Sequence, residues 1–171
     1  MAETRLYRLN VFLGLAYLEA FANPSAPTST ELNNSTYVKD LTCALSEDTT
    51  EFTLGDSDTD STLTFCTNAS TVTPTVHTAT IDYKVLRDQD RSATGYFGRA
   101  MSLLSVPDID FYAIERLGKP NTSAFAVGDI VRIVQVKTDN PLDVLAVDAD
   151  VFLEMKFLSN NFINWNYTLL S

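Results

Sequence analysis

Residues 76–87 read Val-His-Thr-Ala-Thr-Ile-Asp-Tyr-Lys-Val-Leu-Arg. His77, Ala79, Ile81, Tyr83 and Val85 fall on one face of an extended chain; Thr78, Thr80, Asp82 and Lys84 fall on the other. That period of two predicts a half-buried β-strand. Further strands are expected at 40–46 (Leu41, Cys43 and Leu45 on one face), 51–55, 61–67, 109–117, 129–138 and 150–158. In the last, Val151, Leu153, Met155 and Phe157 face inward. Residues 5–13 fit a strand through Tyr7, Leu9, Val11 and Leu13. They also fit helical spacing through Leu6, Leu9, Leu13 and Ala16. One helix is expected at about 91–105, with Asp90 as N-cap, Tyr96, Ala100 and Leu103 or Leu104 stacked, and Pro107 beyond its end. Many strands, one helix and intervening turns predict a mainly β fold, a β-sandwich or barrel with one flanking α-helix. Residues 1–36 read as an N-terminal arm and loop, and 37–171 as the β domain.

The chain has 171 residues, 45% of them hydrophobic, enough for one domain with its own core. Its formal net charge is −10. Residues 31–60 hold eight acids (Glu31, Asp40, Glu47, Asp48, Glu51, Asp56, Asp58, Asp60) against one base, Lys39, and so carry −7 of that charge. Such a balance opposes direct nucleic-acid binding, which needs cations to neutralise phosphates. It equally opposes docking on anionic membranes.

No site for chemistry is visible. Asp56, Asp58 and Asp60 match the first ligand positions of a calcium loop. The match ends at Ser61, where glycine is needed, and at Thr67, where a bidentate glutamate is needed. His77 is the only histidine, and on its strand it reads as a packed side chain. No G-x-S-x-G turn accompanies it. Gly95 and Gly98 lack the lysine of a phosphate loop. Neither a cofactor nor a metal is expected. Cys43 and Cys66 cannot supply the four ligands of a structural zinc; free thiols are expected, with a bond across a hairpin as the alternative.

Arg5 and Arg8 before Leu9–Leu18, followed by Ala20-Phe21-Ala22, imitate a secretory signal. Glu3, Asn10 and Glu19 interrupt that pattern, and the apolar run is too short to span a membrane as a helix. Residues 1–22 are therefore expected to be retained. The Asn-x-Ser/Thr sites at Asn33, Asn34, Asn68, Asn121 and Asn166 matter only if the chain is secreted.

Five segments, taken in order, resemble the major tail tube proteins of long-tailed, non-contractile bacteriophages. They are Thr30-Glu31-Leu32-Asn33; Asp40-Leu41-Thr42-Cys43-Ala44-Leu45-Ser46; Asp56-Ser57-Asp58-Thr59-Asp60 with Phe65-Cys66 downstream; Ala124-Phe125-Ala126-Val127-Gly128-Asp129; and Phe157-Leu158 with Asn166-Tyr167-Thr168. The likeness covers roughly residues 30–170. It implies a non-enzymatic virion subunit that forms hexameric rings stacked into a tube. Its partners would be further copies of itself and other phage tail proteins. Genomic DNA would pass through an acidic lumen without specific binding, no membrane would be involved, and assembly would take place in the host cytoplasm. Glu47, Asp48, Glu51, Asp56, Asp58 and Asp60 are then expected to form a hairpin that contacts a neighbouring subunit or ring. The rival readings are a secreted β-sandwich for adhesion or carbohydrate binding, and another tail or capsid component of similar fold.

Overall fold

The computed structural model describes residues 10–46, 50–56, 58–64, 67–76, 78–87, 94–144 and 151–170, with 58–64, 67–76 and 160–161 described by backbone alone. The strands are β1 (Val11–Tyr17), β2 (Val38–Asp40), β3 (Glu51–Leu54), β4 (Asp58–Thr64), β5 (Thr67–Val76), β6 (Ala79–Leu86), β7 (Asp110–Leu117), β8 (Ile130–Thr138), β9 (Leu142–Val144) and β10 (Phe152–Thr168). Helix α1 spans Ser29–Leu32 and α2 spans Tyr96–Leu104; 3-10 turns occupy Leu18–Ala20 and Thr42–Ala44. Eight strands form one antiparallel sheet in the order β2-β1-β7-β8-β10-β6-β3, with β9 on the edge of β10. Strands β4 and β5 form a separate two-stranded sheet. The protein is mainly β with α2 as its flanking helix, as the alternation predicts.

The large sheet curls around its own core. Leu15 of β1, Phe111 and Ala113 of β7, Val134 and Val136 of β8, Met155 and Phe157 of β10, Ile81 and Tyr83 of β6 and Phe52 of β3 all enter one cluster. A flat sheet could not bring its two ends to one core. The link between the ends is short. The Leu41 amide donates to the Leu13 carbonyl at 2.9 Å, and Leu45 bridges Val85. Four residues of chain reach at most about 14 Å. The turn at 42–44 and α2, through Ala44, Ala100 and Leu104, close this core.

A second core lies on the opposite face of β1, β7 and β8. It joins Phe12, Ala16, Tyr112, Ile114, Val131 and Ile133 to Phe21, Leu32, Val38, Phe125 and Leu169. The 18–20 turn, α1 and the 119–129 loop cover this side. Residues 111–116 of β7 are consequently all buried, the condition under which a strand loses its alternation. The same double burial explains the apolar run that imitates a signal. Within the stretch read as an arm, Val11–Tyr17 pairs with both β2 and β7, and Leu15 and Ala16 are fully buried. Residues 5–9 of the expected first strand lie outside the described residues, and the strand runs on to Tyr17.

Gly14 is where β1 meets β2. A Cβ there would lie 2.5 Å from the Lys39 carbonyl oxygen and 2.8 Å from the Phe12 ring. Gly14→Ala is expected to lower stability by about 1–3 kcal/mol, read as a lower urea midpoint with an unchanged slope.

Three local expectations change. The 40–46 strand is instead a strand end followed by a 3-10 turn. Asp40 Oδ1 accepts from the Thr42 amide at 2.9 Å, and Thr42 Oγ1 accepts from the Leu13 amide at 2.9 Å. These side chains offer the backbone a turn in place of a ladder. Helix α2 starts at Tyr96 behind Gly95, which provides no side-chain cap; Asp90 lies outside the described residues. Ala100 and Leu104 are buried as expected, whereas Tyr96 is exposed with the Arg99 guanidinium over its ring. Finally, 150–158 is only the start of β10. In β6, Ala79, Ile81, Tyr83 and Val85 are buried as the alternation predicts; His77 lies outside the described residues.

Candidate assembly interface

The described acids of 31–60 separate into distinct environments. Glu31 is the third residue of α1, where its carboxylate accepts from the Thr28 and Ala22 amides, each at 2.8 Å. Thr28 Oγ1 in turn accepts from the Glu31 amide, which completes a capping box. Burial acts to raise the Glu31 carboxyl, but these hydrogen bonds outweigh it and hold the group below its ordinary value. Asp40 is likewise engaged within the subunit, through Thr42 and through Asn121 Nδ2, which donates to Oδ2 at 2.8 Å. The Thr28-x-x-Glu31 spacing is the signal that assigns Glu31 an internal duty.

Among the described residues, the remaining acids do not share one hairpin. Glu51 is exposed on β3, which pairs with β6 and places Glu51 opposite Asp82. Asp56 is exposed in the link that follows, and its carbonyl accepts from Thr78 Oγ1. Asp58 and Asp60 lie on β4, opposite Val76 and Thr73 of β5. Glu47 and Asp48 lie outside the described residues, as does Cys66; Cys43 is an exposed free thiol. The hairpin expected of these acids is therefore split between two sheets. β3 finds its partner in β6, where Phe52 reaches the main core, and β4 turns back on β5.

Among the described residues, three surfaces near the acidic segment are available to a neighbour. The first is the outer face of β3, β6 and β10. Lys84 lies 3.6 Å and Lys156 3.8 Å from Glu154. Burial, and then the nearby Glu51 and Glu154 acting against Lys156 and Lys84, raises the Asp82 carboxyl. The second surface comprises the two ends of the strand order, where, among the described residues, β2 and β3 each have a partner on one side only. The third is the β4–β5 ribbon, which pairs with no strand of the large sheet.

Two ion pairs on opposite faces of β7 stiffen the frame. On one face, Arg116 is fully buried. Its Nη1 lies 3.5 Å from Asp129 Oδ2, its Nη2 donates to the Pro120 carbonyl at 2.7 Å, and its guanidinium stacks 4.3 Å from the centre of the Phe125 ring. Lys119 also pairs with Asp129. Burial pushes the Asp129 carboxyl up, but Lys119, the Ala126 amide and Arg116 together hold it below the ordinary range. On the other face, Arg132 bonds Glu115 at 2.7 Å and stacks 4.4 Å from Trp165. Its Nε donates at 3.0 Å to Asn166, a residue with positive φ within a register slip of β10. For Glu115 burial outweighs Arg132 and raises the carboxyl.

A sequence model described as phage tail tube protein matches residues 13–157. A search of curated proteins found no match. The matched span runs from β1 through the part of β10 that pairs with β6, so it takes in both faces of the curled sheet, α2 and the β4–β5 ribbon. The chain belongs to the phage tail tube protein family and is a structural protein of the virion tail.

Proposed function

We propose that copies of this chain close into hexameric rings, that the rings stack into a tube, and that the phage genome passes along its acidic lumen. The observation that carries this reading is the family match across residues 13–157. Two features of the fold support it. The outer edges of β2 and β3 carry backbone groups that invite strand pairing, and closing a ring of subunits would cover such edges. The β4–β5 ribbon is two-stranded, and an isolated two-stranded hairpin is marginal in water. A neighbouring subunit would supply the missing support.

In this reading Glu47, Asp48, Glu51, Asp56, Asp58 and Asp60 mark a contact between subunits or rings. The chain's net charge of −10 suits a wall that repels DNA phosphates and keeps the genome from adhering in transit. Other tail proteins would meet the ends of the tube, and assembly would occur in the host cytoplasm.

Negative-stain microscopy of the purified protein at high concentration tests the reading; hollow filaments of uniform width are expected. Changing Asp56, Asp58 and Asp60 together to lysine is expected to shorten the filaments and lower their yield. Filaments of unaltered length and yield would count against the contact role of this segment.

A further inference from the structure

Beyond the acidic segment, the exposed apolar side chains are not scattered evenly. Val127, Ile130 and Leu170 are 64%, 48% and 74% exposed. They sit together at one end of β8 and β10. The Gly128 amide donates to the Leu169 carbonyl at 2.8 Å, the Leu169 amide donates to the Asp129 carbonyl at 2.9 Å, and Ile130 is the register partner of Thr168. Single exposed apolar residues are ordinary, but a contiguous group marks a contact surface. Ile130 lies two residues from Arg132 on the same strand face, so the patch adjoins the stacked Arg132–Trp165 pair. Arginine and tryptophan are the side chains that most often anchor protein contacts.

The other end of the same strand pair is apolar too. Val106 and Leu158 are exposed there. The Val106 carbonyl accepts from Thr138 Oγ1, and Leu158 is the register partner of Lys137. Leu142, also exposed, follows just beyond Thr138.

We propose that the Val127–Ile130–Leu170 patch is a head-to-tail contact that receives the Val106–Leu158 end of another copy of this chain. The proposal rests on the tube reading and deepens it by locating the axial contact and giving it an apolar character. Different surfaces at opposite ends of one strand pair make a contact that repeats along an axis, whereas a patch meeting itself would stop at a dimer. Three side chains cover less area than a standard interface. Repetition around a ring makes a weak contact sufficient, because each bond formed holds the others in register. An apolar junction should also strengthen in sulfate, where a contact between charged groups would be screened.

The test compares the full-length protein with Val127→Glu/Leu170→Glu by negative-stain microscopy, sedimentation and thermal melting. The variant is expected to melt as the parent does and to lose roughly a hundredfold in sedimentable polymer, since two apolar side chains leave the contact. Adding Leu158→Lys to the double variant is expected to restore part of the polymer.

A second measurement does not depend on that variant folding. Val127→Cys/Leu158→Cys, with Cys43 and Cys66 changed to serine, is treated with a short bis-maleimide. A ladder of covalent multimers supports the head-to-tail contact. Dimers alone, or no product, overturn it. Parent tubes accompanied by undiminished tubes of a folded Glu variant overturn this inference and leave the tube reading intact. A parent that stays monomeric under all conditions overturns both.

Discussion

A chain lacking residues 1–22 is expected to recover no cooperative fold. The cut would imitate cleavage after the signal-like Ala20-Phe21-Ala22, and it would remove β1 from between β2 and β7. Phe12, Leu15 and Phe21 are all buried. Burial of each such side chain contributes about 1.5–3 kcal/mol, so their joint loss is about 5–9 kcal/mol. That is comparable with the whole stability of a typical domain, about 5–15 kcal/mol. The loss also bares the edge of β7 and uncovers both cores, which favours aggregation. Leu15→Ala, a milder probe of the same strand, is expected to cost about 2–5 kcal/mol and to keep a cooperative melt. Size-exclusion chromatography and thermal melting would check both. A monomeric truncated protein with a sharp melt would refute the structural role assigned to β1.

Arg116→Ala is expected to cost about 3–5 kcal/mol, the range for breaking one half of a buried ion pair. The guanidinium is fully buried and ties Asp129, the Pro120 carbonyl and Phe125 together. Its removal leaves a cavity and deprives the 119–129 loop of its central anchor. Arg116→Met, which fills the volume without the charge, should be no better if the ion pair dominates and clearly better if packing does. Urea unfolding reads both.

The acid limb of stability carries a separate signature. Asp129 is held below its ordinary value in the fold. Its contribution is therefore present above the unfolded carboxylate value, about 3.9, and is lost as pH falls through the lower folded value. Asp129→Asn should flatten that limb. Glu115 has the opposite sign. Its raised carboxyl favours the fold most below the unfolded value, and this share fades as pH rises through the folded one.

Strands whose outer face meets solvent are legible residue by residue. Ala79, Ile81, Tyr83 and Val85 of β6, and Leu153, Met155 and Phe157 of β10, face inward as their spacing dictates. The alternation fails in β1 and β7 because both faces are covered, and the covering pieces come from distant sequence, such as Phe125 and Leu32. It fails again at 41–45, where Asp40 and Thr42 bond nearby backbone and turn the chain. In the candidate interface, the acidity of 31–60 is plain from composition. Composition does not separate Glu31 and Asp40, which are engaged within the subunit, from Glu51 and Asp56, which face solvent. A hydrogen-bond partner such as Asn121 lies 81 residues from Asp40.

The sequence by itself determined the mainly β character, the inward positions of the alternating strands and the excess of negative charge, because these depend on side-chain type and local period. Tertiary structure alone decided that the acidic segment divides between two sheets, with β3 on β6 and β4 on β5. Strand pairing is a contest among backbone donors and acceptors that are nearly equivalent along the chain. It is settled by which register carries a residue such as Phe52 into a core built from the whole molecule.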